Sequence, residues 1–316
     1  MKDKIMTYFY LTLACILFSI QFIFSKLYQK NSDETLIAGS WMSLFGAIWM
    51  FAMFFISNGF HFEISAISVF YAFTYAIVLL MCNIFAFFAM TMGKVSTVTM
   101  YMLLGGLILP FFYGIIFLNE ELTLFKVIGI LLMLLSFLPM LTDNNKVTDK
   151  KKSKKIVYVL LCFSVFIFNG LISIISKAHQ IDKNAVGIND FLILTAIIGF
   201  AAAFIFIFIL TIINKNKNNK GFLETAFSGV GSEFSFKWIT IMFCISGAFT
   251  IMNGIGNVFS LTCAETMDSS IQFPVISGAV VPLTAIFSWI FFKEKIKKTD
   301  AIGIFIAIAG ILMFIL

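Results

Sequence analysis

The sequence contains no arginine and only two histidines, and charged residues make up 12% of its 316 positions. Hydrophobic residues reach 60% and aromatic residues 17%, so too little polar side chain remains to cover a soluble protein of this length. Walker, DxD-like, GxSxG and HExxH motifs are also absent, and no enzymatic apparatus or cofactor is expected. The composition therefore predicts a membrane protein that is not an enzyme.

Ten apolar runs, each close to the roughly 20 residues of helix that span a bilayer, follow one another. The runs are 5–28, 36–57, 67–91, 95–118, 124–141, 156–176, 191–213, 238–262, 271–292 and 301–316. Only helices and closed barrels satisfy their backbone in lipid, and these runs are too long and too evenly apolar for barrel strands. The sequence predicts an all-α polytopic membrane protein with ten transmembrane helices.

The same runs lack other features. No carboxylate or histidine lies in the middle of a run, so proton coupling through a buried acid is unsupported. Facilitated diffusion, exchange and coupling through a peripheral acid such as Glu265 stay open. The five cysteines fall within the runs without a CxxC pair, and we interpret them as small buried hydrophobes with no disulfide or metal role.

The stretch 103–136 returns in variant form at 275–310, which indicates a duplication. Each copy has a glycine four residues before a proline, then an apolar run ending at a glutamate, then a glycine nine residues later. These positions are Gly106, Pro110, Glu120 and Gly129 in the first copy and Gly278, Pro282, Glu294 and Gly303 in the second. We interpret the glutamates as structural helix-end or turn residues.

The duplication predicts the domain organisation. Residues 1–145 form a first five-helix repeat, 146–155 a charged linker, and 156–316 a second five-helix repeat. Five is an odd number, so the second repeat must cross the membrane in the opposite sense to the first. Inverted repeats of this kind in secondary transporters place the substrate site near the midplane between the halves.

A lysine closes the first helix of each half, at Lys26 and Lys177. Together with the paired glutamate and glycine motif, this pattern resembles the drug/metabolite transporter superfamily, in its ten-helix EamA branch. The resemblance implies a transport role, and it implies that helices one, three, four, six, eight and nine line the cavity while five and ten pack peripherally. Members of that family move amino acids, nucleotide sugars, drugs, choline and sugar phosphates, so the resemblance implies no single solute.

Polar side chains at membrane depth are costly and usually face a bundle interior or a water-filled cavity. The candidate solute-binding residues lie mainly on the helices that the resemblance makes central, and they are Gln21, Lys26, Asn83, Tyr101, Asn169, Asn253, Asn257 and Gln272. Asn83 and Asn257 are repeat-related, and Asn253 lies four residues from Asn257 on one helix face. Two interpretations stand: these groups bind a polar solute, or their amides bond helix to helix without touching a ligand.

Charged residues at helix ends also allow two interpretations. Lys26 and Lys177 either meet an anionic solute group or a carboxylate such as Glu265, or extend to the membrane interface. Glu265 and Asp268 are interpreted as residues of the loop between the eighth and ninth helices.

Small residues repeat at a spacing of seven on the fifth and tenth helices, as Gly129 with Ser136 and Gly303 with Gly310. Such a face lets helices approach closely, either inside the bundle or in a dimer. Prolines within the fourth and ninth helices either mark the transport pathway or are structural kinks.

Lysines are concentrated in the odd-numbered loops, which predicts that both termini lie outside, whereas the resemblance implies that both lie inside. The net charge of +6 is assigned to topology and contact with anionic lipid, not to nucleic acid. The expected partners are a small-molecule solute and membrane lipids, and the expected form is a monomer or homodimer, multi-pass in the cell membrane.

The sequence therefore predicts a secondary transporter that moves a small polar or amphipathic metabolite, such as an amino acid, amine or drug-like solute, by alternating access. One alternative is a lipid-linked sugar or headgroup translocator, which requires a laterally open apolar cleft. The other is a membrane receptor or structural subunit, which requires a closed core whose polar residues pair with each other.

Overall fold

The computed structural model describes residues 2–32, 35–92, 95–142, 152–218, 222–227, 236–293 and 298–315. These ranges contain eleven α-helices and no strand. The helices are α1 (Lys2–Asn31), α2 (Leu36–Ser57), α3 (Ala66–Met92), α4 (Val95–Phe117), α5 (Leu124–Thr142), α6 (Lys152–Ile181), α7 (Ile188–Asn218), α8 (Phe222–Ala226), α9 (Phe236–Thr266), α10 (Ser269–Phe292) and α11 (Lys298–Ile315). All except the short α8 coincide with the ten predicted runs, to within a few residues at each end.

In the part of the chain that the structure describes, eight helices are long and apolar enough to cross a membrane, namely α1–α4, α6, α7, α9 and α10. The described apolar parts of α5 and α11 are shorter, at Leu124–Ser136 and Ala301–Phe314. The predicted all-helical, multi-pass membrane protein is thus confirmed, whereas the count of ten spans and the inverted repeat stay predictions.

Local sequence explains where individual helices begin and end. At the start of α2, Thr35 accepts a hydrogen bond on its hydroxyl from the backbone N–H of Ala38 at 3.2 Å, which satisfies one of the free donors of a helix N-terminus. At its other end the chain turns through Gly59 and Phe60, both with positive φ.

The chain forms two compact units that interleave along the sequence. The first unit comprises residues 1–19, 81–182 and 259–316, and the second comprises 20–80 and 183–258. Each unit therefore contains residues from both predicted repeats. The two repeats themselves stay a prediction. Residues 146–151 of the predicted linker lie outside the described residues, and 152–155 already belong to α6.

In the first unit, α5 and α11 pack closely through their small residues. A Cβ added to Gly303 would lie 2.8 Å from the carbonyl oxygen of Ser136, and one added to Gly310 would lie 3.2 Å from that of Gly129. The predicted close approach is therefore confirmed within a single chain. The homodimer stays an untested expectation.

A second close approach in this unit joins α4 to α6. A Cβ on Gly105 would lie 1.9 Å from the carbonyl oxygen of Phe166, and one on Gly170 would lie 2.7 Å from the carbonyl oxygen of Gly105. The two backbones touch at this crossing, which the sequence analysis did not identify.

Tryptophans of α2 hold the second unit together. The indole N–H of Trp41 donates to the carbonyl of Ala226 at 2.7 Å, and that of Trp49 donates to the carbonyl of Phe243 at 3.1 Å. The ring of Trp41 also stacks on Phe227 at 4.5 Å between centroids. Both tryptophans are half-buried, and these bonds connect the short helix α8 and the first half of α9 to α2 while satisfying the two indole N–H groups.

Candidate functional site

Three of the predicted site residues form one hydrogen-bonded chain within the second unit. The side-chain amide of Asn253 donates to Oε1 of Gln21 at 2.5 Å, and the amide of Asn257 donates to Oδ1 of Asn253 at 2.8 Å. Gln21 belongs to α1 and the two asparagines to α9, so the bonds run between helices and then along one helix face. Gln21 and Asn253 each lie near the middle of a candidate membrane span. We call these three residues the amide chain.

The amide chain leaves one donor group and one acceptor open. Within the described residues, no hydrogen bond is recorded for Nε2 of Gln21 or for Oδ1 of Asn257, although Gln21 is only 8% exposed. An amide carries two donors and one acceptor with two lone pairs, so both ends retain hydrogen-bonding capacity. Polar groups at membrane depth usually face a solute or a water-filled cavity, or they form hydrogen bonds that hold two helices together.

Two predicted residues, Lys26 and Asn83, are not members of the amide chain. Lys26 follows Gln21 by five residues on α1, which places it about 140° around the helix from Gln21. Asn83, the repeat partner of Asn257, belongs to the first unit, and its side chain is exposed and makes no hydrogen bond to another described residue. The sequence did not distinguish these residues from the three that meet.

Asn169 and Tyr101 serve packing in the first unit. The amide of Asn169 on α6 donates to the carbonyl oxygen of Met102 on α4 at 2.7 Å, which is the interhelical bond that the second interpretation anticipated. The ring of Tyr101 packs against a core cluster of α3, α4 and α6 that includes Val98 and Val165. Beside Asn169, the hydroxyl of Ser277 on α10 faces the bare α-carbon of Gly106.

Gln272 is fully buried near the start of α10, with only half of its amide satisfied. Its Nε2 donates to the backbone carbonyl and the hydroxyl of Ser260 at 2.6 and 3.2 Å, whereas its Oε1 has no donor among the described residues. A buried unsatisfied carbonyl costs about 1–3 kcal/mol. Gln272 thus joins α9 to α10 and retains one open acceptor.

The structure gives Lys177 partners that the sequence did not predict, whereas contact with an anionic solute group stays a prediction. Its ammonium is buried and donates to the backbone carbonyls of Ala264 and Met267 at 2.6 and 2.7 Å, at the C-terminal end of α9. A cation is favoured there because a helix C-terminus carries partial negative charge and free carbonyl groups. Lys177 therefore caps α9 and neither extends to the interface nor pairs with Glu265, which belongs to the last turn of α9 and not to a loop.

Glu120 is a structural residue, as predicted, but it acts on a distant helix. Its Oε1 accepts from the N–H and the hydroxyl of Ser269, both at 2.7 Å, and its Oε2 accepts from the N–H of Ser270 at 2.8 Å. These donors are free N–H groups of the first turn of α10, where negative charge is favoured. Glu120 therefore caps α10, while Asp268 at the capping position makes no side-chain cap bond. Its counterpart Glu294 lies outside the described residues.

Lys126 completes this arrangement. Its buried ammonium donates to the carboxylate of Asp268 and the hydroxyl of Ser270, both at 2.9 Å, and to the carbonyl of Glu121 at 2.8 Å. We call Glu120, Lys126, Lys177 and Asp268 the α9–α10 clamp. Sequence analysis missed Lys126, although a lysine in the first turn of a membrane helix, where cations are disfavoured, was a usable signal.

A small groove of about 170 Å³ lies in the first unit between the start of α1 and the end of α9. Its lining includes Thr7, Tyr10, Thr262, Glu265 and Thr266. The ring of Tyr10 stacks on Phe259 at 5.3 Å between centroids. Glu265, the peripheral acid of the sequence analysis, thus lines a groove whose surface is mostly apolar and to which Met6 and Cys263 also contribute.

Comparison with known proteins gives a family match and a fold match. Residues 5–142 match the EamA-like transporter family. A protein of known crystal structure is similar over 97% of this chain and 95% of its own, with a TM-score of 0.65 and 13% sequence identity, which shows a shared fold. No curated protein matches the sequence.

Proposed function

We propose, from the match of residues 5–142 to the EamA-like transporter family, that this protein is a secondary transporter in the cell membrane. The solute is a small polar or amphipathic metabolite, such as an amino acid, an amine or a drug-like compound. It crosses by alternating access and is not chemically modified. The match to a transporter family supports the role in general, the alternating-access mechanism rests on the predicted inverted repeat, and the assignment of a solute contact rests on the amide chain.

The observation that carries this proposal is the amide chain of Gln21, Asn253 and Asn257. Three amides within two apolar spans are costly unless hydrogen-bonded, and the chain leaves a donor group at one end and an acceptor at the other. A solute that offers both an acceptor and a donor can complete these bonds.

The chemistry of the amide chain limits what part of the solute it contacts. Its three side chains are uncharged and do not titrate, so they offer no counter-charge to an ion. Removing an ionic group from water without a partner costs far more than removing a hydroxyl or an amide. We therefore propose that the amide chain binds a neutral polar group of the solute. The rest of the solute is apolar and packs against the surrounding helices.

The test is a thermal-shift screen of detergent-purified protein against amino acids, quaternary amines, sugar phosphates and common drugs, followed by uptake of any hit into proteoliposomes. Ligand at a hundred times its dissociation constant stabilises the folded state by about 2.7 kcal/mol. We expect one chemical class to raise the unfolding temperature, and Asn257→Ala to abolish that rise. Asn31→Ala is the matched control, because Asn31 lies at the end of α1 and, among the described residues, its side chain bonds to the carbonyl of Leu27 and not to the amide chain.

Uptake that is unchanged in both Asn257→Ala and Gln21→Ala would remove the amide chain from the solute pathway. Uptake that is absent for every class, with folded protein in the vesicles, would contradict transport of these solutes.

One observation favours a second candidate function. The amides bond to one another, which is the arrangement expected of a membrane receptor or structural subunit. In that case, Asn253→Ala lowers stability by breaking two bonds, and the parent protein takes up no solute. The uptake assay therefore separates the two candidates.

A further inference from the structure

The α9–α10 clamp places four charged residues around a turn of only two residues, Met267 and Asp268. Three of its members come from other parts of the chain, since Glu120 and Lys126 belong to the α4–α5 connection and to α5, and Lys177 to α6. Lys126 and Lys177 are each only 5% exposed. A sequence with few charged residues thus places two buried lysines at one turn, beside Asp268, whose side chain is 47% exposed.

Stability alone is a poor explanation for these buried charges. The free energy needed to desolvate two ions can equal the free energy gained from their attraction. A protein with well-packed apolar residues in their place is often equally stable or more stable. The best-attested use of a buried ionic network is to specify one arrangement among several. The clamp is also well satisfied, because Glu120 accepts three hydrogen bonds and Lys126 donates three.

The contacts of the clamp fall into two classes with respect to the predicted halves. Glu120 and Lys126 belong to the first half, and the groups they bind on Asp268, Ser269 and Ser270 belong to the second. Movement of the halves that separates α10 from the α4–α5 connection during transport breaks these bonds. The bonds of Lys177 to Ala264 and Met267 lie within the second half and can persist.

We propose that Glu120 and Lys126 form a latch that holds the first turn of α10 against the α4–α5 connection and so closes this end of the helix pair α4 and α10. The proposal rests on the proposed function, because a latch is needed only if the halves move. Lys177 keeps the turn itself intact, and therefore the turn moves as a rigid piece when the latch opens. The latch opens when water replaces the Glu120 carboxylate as the hydrogen-bond acceptor of the N–H groups of Ser269 and Ser270.

A reporter for opening lies behind the latch. The hydroxyl of Ser277 on α10 would lie 3.3 Å from a Cβ on Gly106 of α4, and Ser277 is 8% exposed. Cysteine is nearly isosteric with serine, so Ser277→Cys in a background without the five native cysteines places a buried thiol between the helices that the latch holds together. Separation of α4 from α10 at this end exposes the thiol to a water-soluble maleimide.

The experiment compares the rate of N-ethylmaleimide labelling of Ser277→Cys in the parent background, in Glu120→Gln and in Lys126→Met. Glutamine keeps the shape of Glu120 but loses its charge and one of its two acceptor oxygens. We expect labelling to accelerate about tenfold in both latch variants, the change in an open population that follows from about 1.4 kcal/mol. Glu121→Gln is the matched control and should label at the parent rate, because the Glu121 side chain is exposed and outside the clamp.

Equal labelling in the parent, Glu120→Gln and Lys126→Met would overturn the proposal, and so would an equal acceleration in Glu121→Gln. If Glu120→Gln does not purify as folded protein, Glu120→Asp replaces it, because aspartate keeps the charge but is too short to reach both N–H groups. Labelling requires no solute, so a latch that fails here is distinguishable from a protein that transports nothing. Absent uptake together with accelerated labelling would contradict the proposed function and leave the latch in place.

Discussion

The substitution Gly105→Ala tests whether the helix crossing between α4 and α6 sets the packing of the first unit. A Cβ at this position would lie 1.9 Å from the carbonyl oxygen of Phe166, 2.7 Å from its carbonyl carbon and 2.9 Å from its α-carbon. All three atoms belong to the backbone, so no side-chain rotation can relieve the overlap. The two helices must separate locally by about 1.1 Å, the difference between 1.9 Å and the 3.0 Å below which real Cβ contacts are essentially never found.

The cost follows from the loss of close packing around the crossing. Overpacking in a well-packed core typically costs about 1–3 kcal/mol, and backbone contact on both sides places this site at the upper end or beyond. Alanine has a higher helix propensity than glycine, which stabilises the folded state by about 1 kcal/mol. We therefore expect Gly105→Ala to lower the free energy of unfolding by about 2 kcal/mol or more, because the steric term exceeds the propensity term.

The assay is the unfolding temperature of detergent-purified protein, with Gly199→Ala as the matched control. Gly199 lies within α7, and a Cβ there would meet no atom within 4 Å, so only the propensity gain remains and stability should rise or stay unchanged. Gly106→Ala should fall between the two, because its nearest neighbour at 2.8 Å is the end of the Asn169 side chain. An unfolding temperature for Gly105→Ala equal to or above that of Gly199→Ala would refute the reasoning.

Three further outcomes are expected from the same assay. Gly303→Ala should destabilise the packing of α5 against α11 by about 1–3 kcal/mol, since its Cβ would meet the carbonyl oxygen of Ser136 at 2.8 Å; stability equal to that of the parent would contradict this. Tyr28→Phe should cost about 0.5–1.5 kcal/mol, because the buried hydroxyl donates to the carbonyl of Ala38 at 2.8 Å, and an unchanged unfolding temperature would show that bond to be dispensable. Asn253→Ala should cost more than Asn257→Ala, because it breaks two bonds of about 0.6 kcal/mol each where Asn257→Ala breaks one; the reverse order would count against the amide chain.

Gly106 and Gly278 show why a sequence repeat does not predict equal environments. Both precede a proline by four residues, so both helices have a carbonyl without its usual donor at that position. Yet Gly106 faces polar atoms of Asn169 and Ser277, whereas a Cβ on Gly278 would lie 2.4 Å from the thioether of Met133 on α5. The motif determines the local backbone, and the neighbouring helices determine what that backbone meets.

The candidate site shows the same division between what a sequence motif predicts and what the neighbouring helices determine. The sequence by itself identified Gln21, Asn253 and Asn257 as polar groups at membrane depth, because an amide in an apolar run is visible without knowledge of its partners. It did not separate them from Asn83, which is exposed, or from Asn169, which bonds to a helix backbone. That separation depends on how each helix is rotated about its axis, and rotation is set by packing against neighbours.

The apolar runs and the spacing of small residues by themselves determined the helices, their approximate ends and the small-residue faces formed by Gly129 with Ser136 and by Gly303 with Gly310. These are properties of one helix at a time, because periodicity and length can be read along a single segment. Only the tertiary structure decided that Glu120 caps α10 and that Lys177 caps α9. Those partners lie 149 and 87 residues away along the chain. A free N–H or carbonyl at a helix end accepts any partner of the right charge, and only the packed structure brings one particular side chain to it.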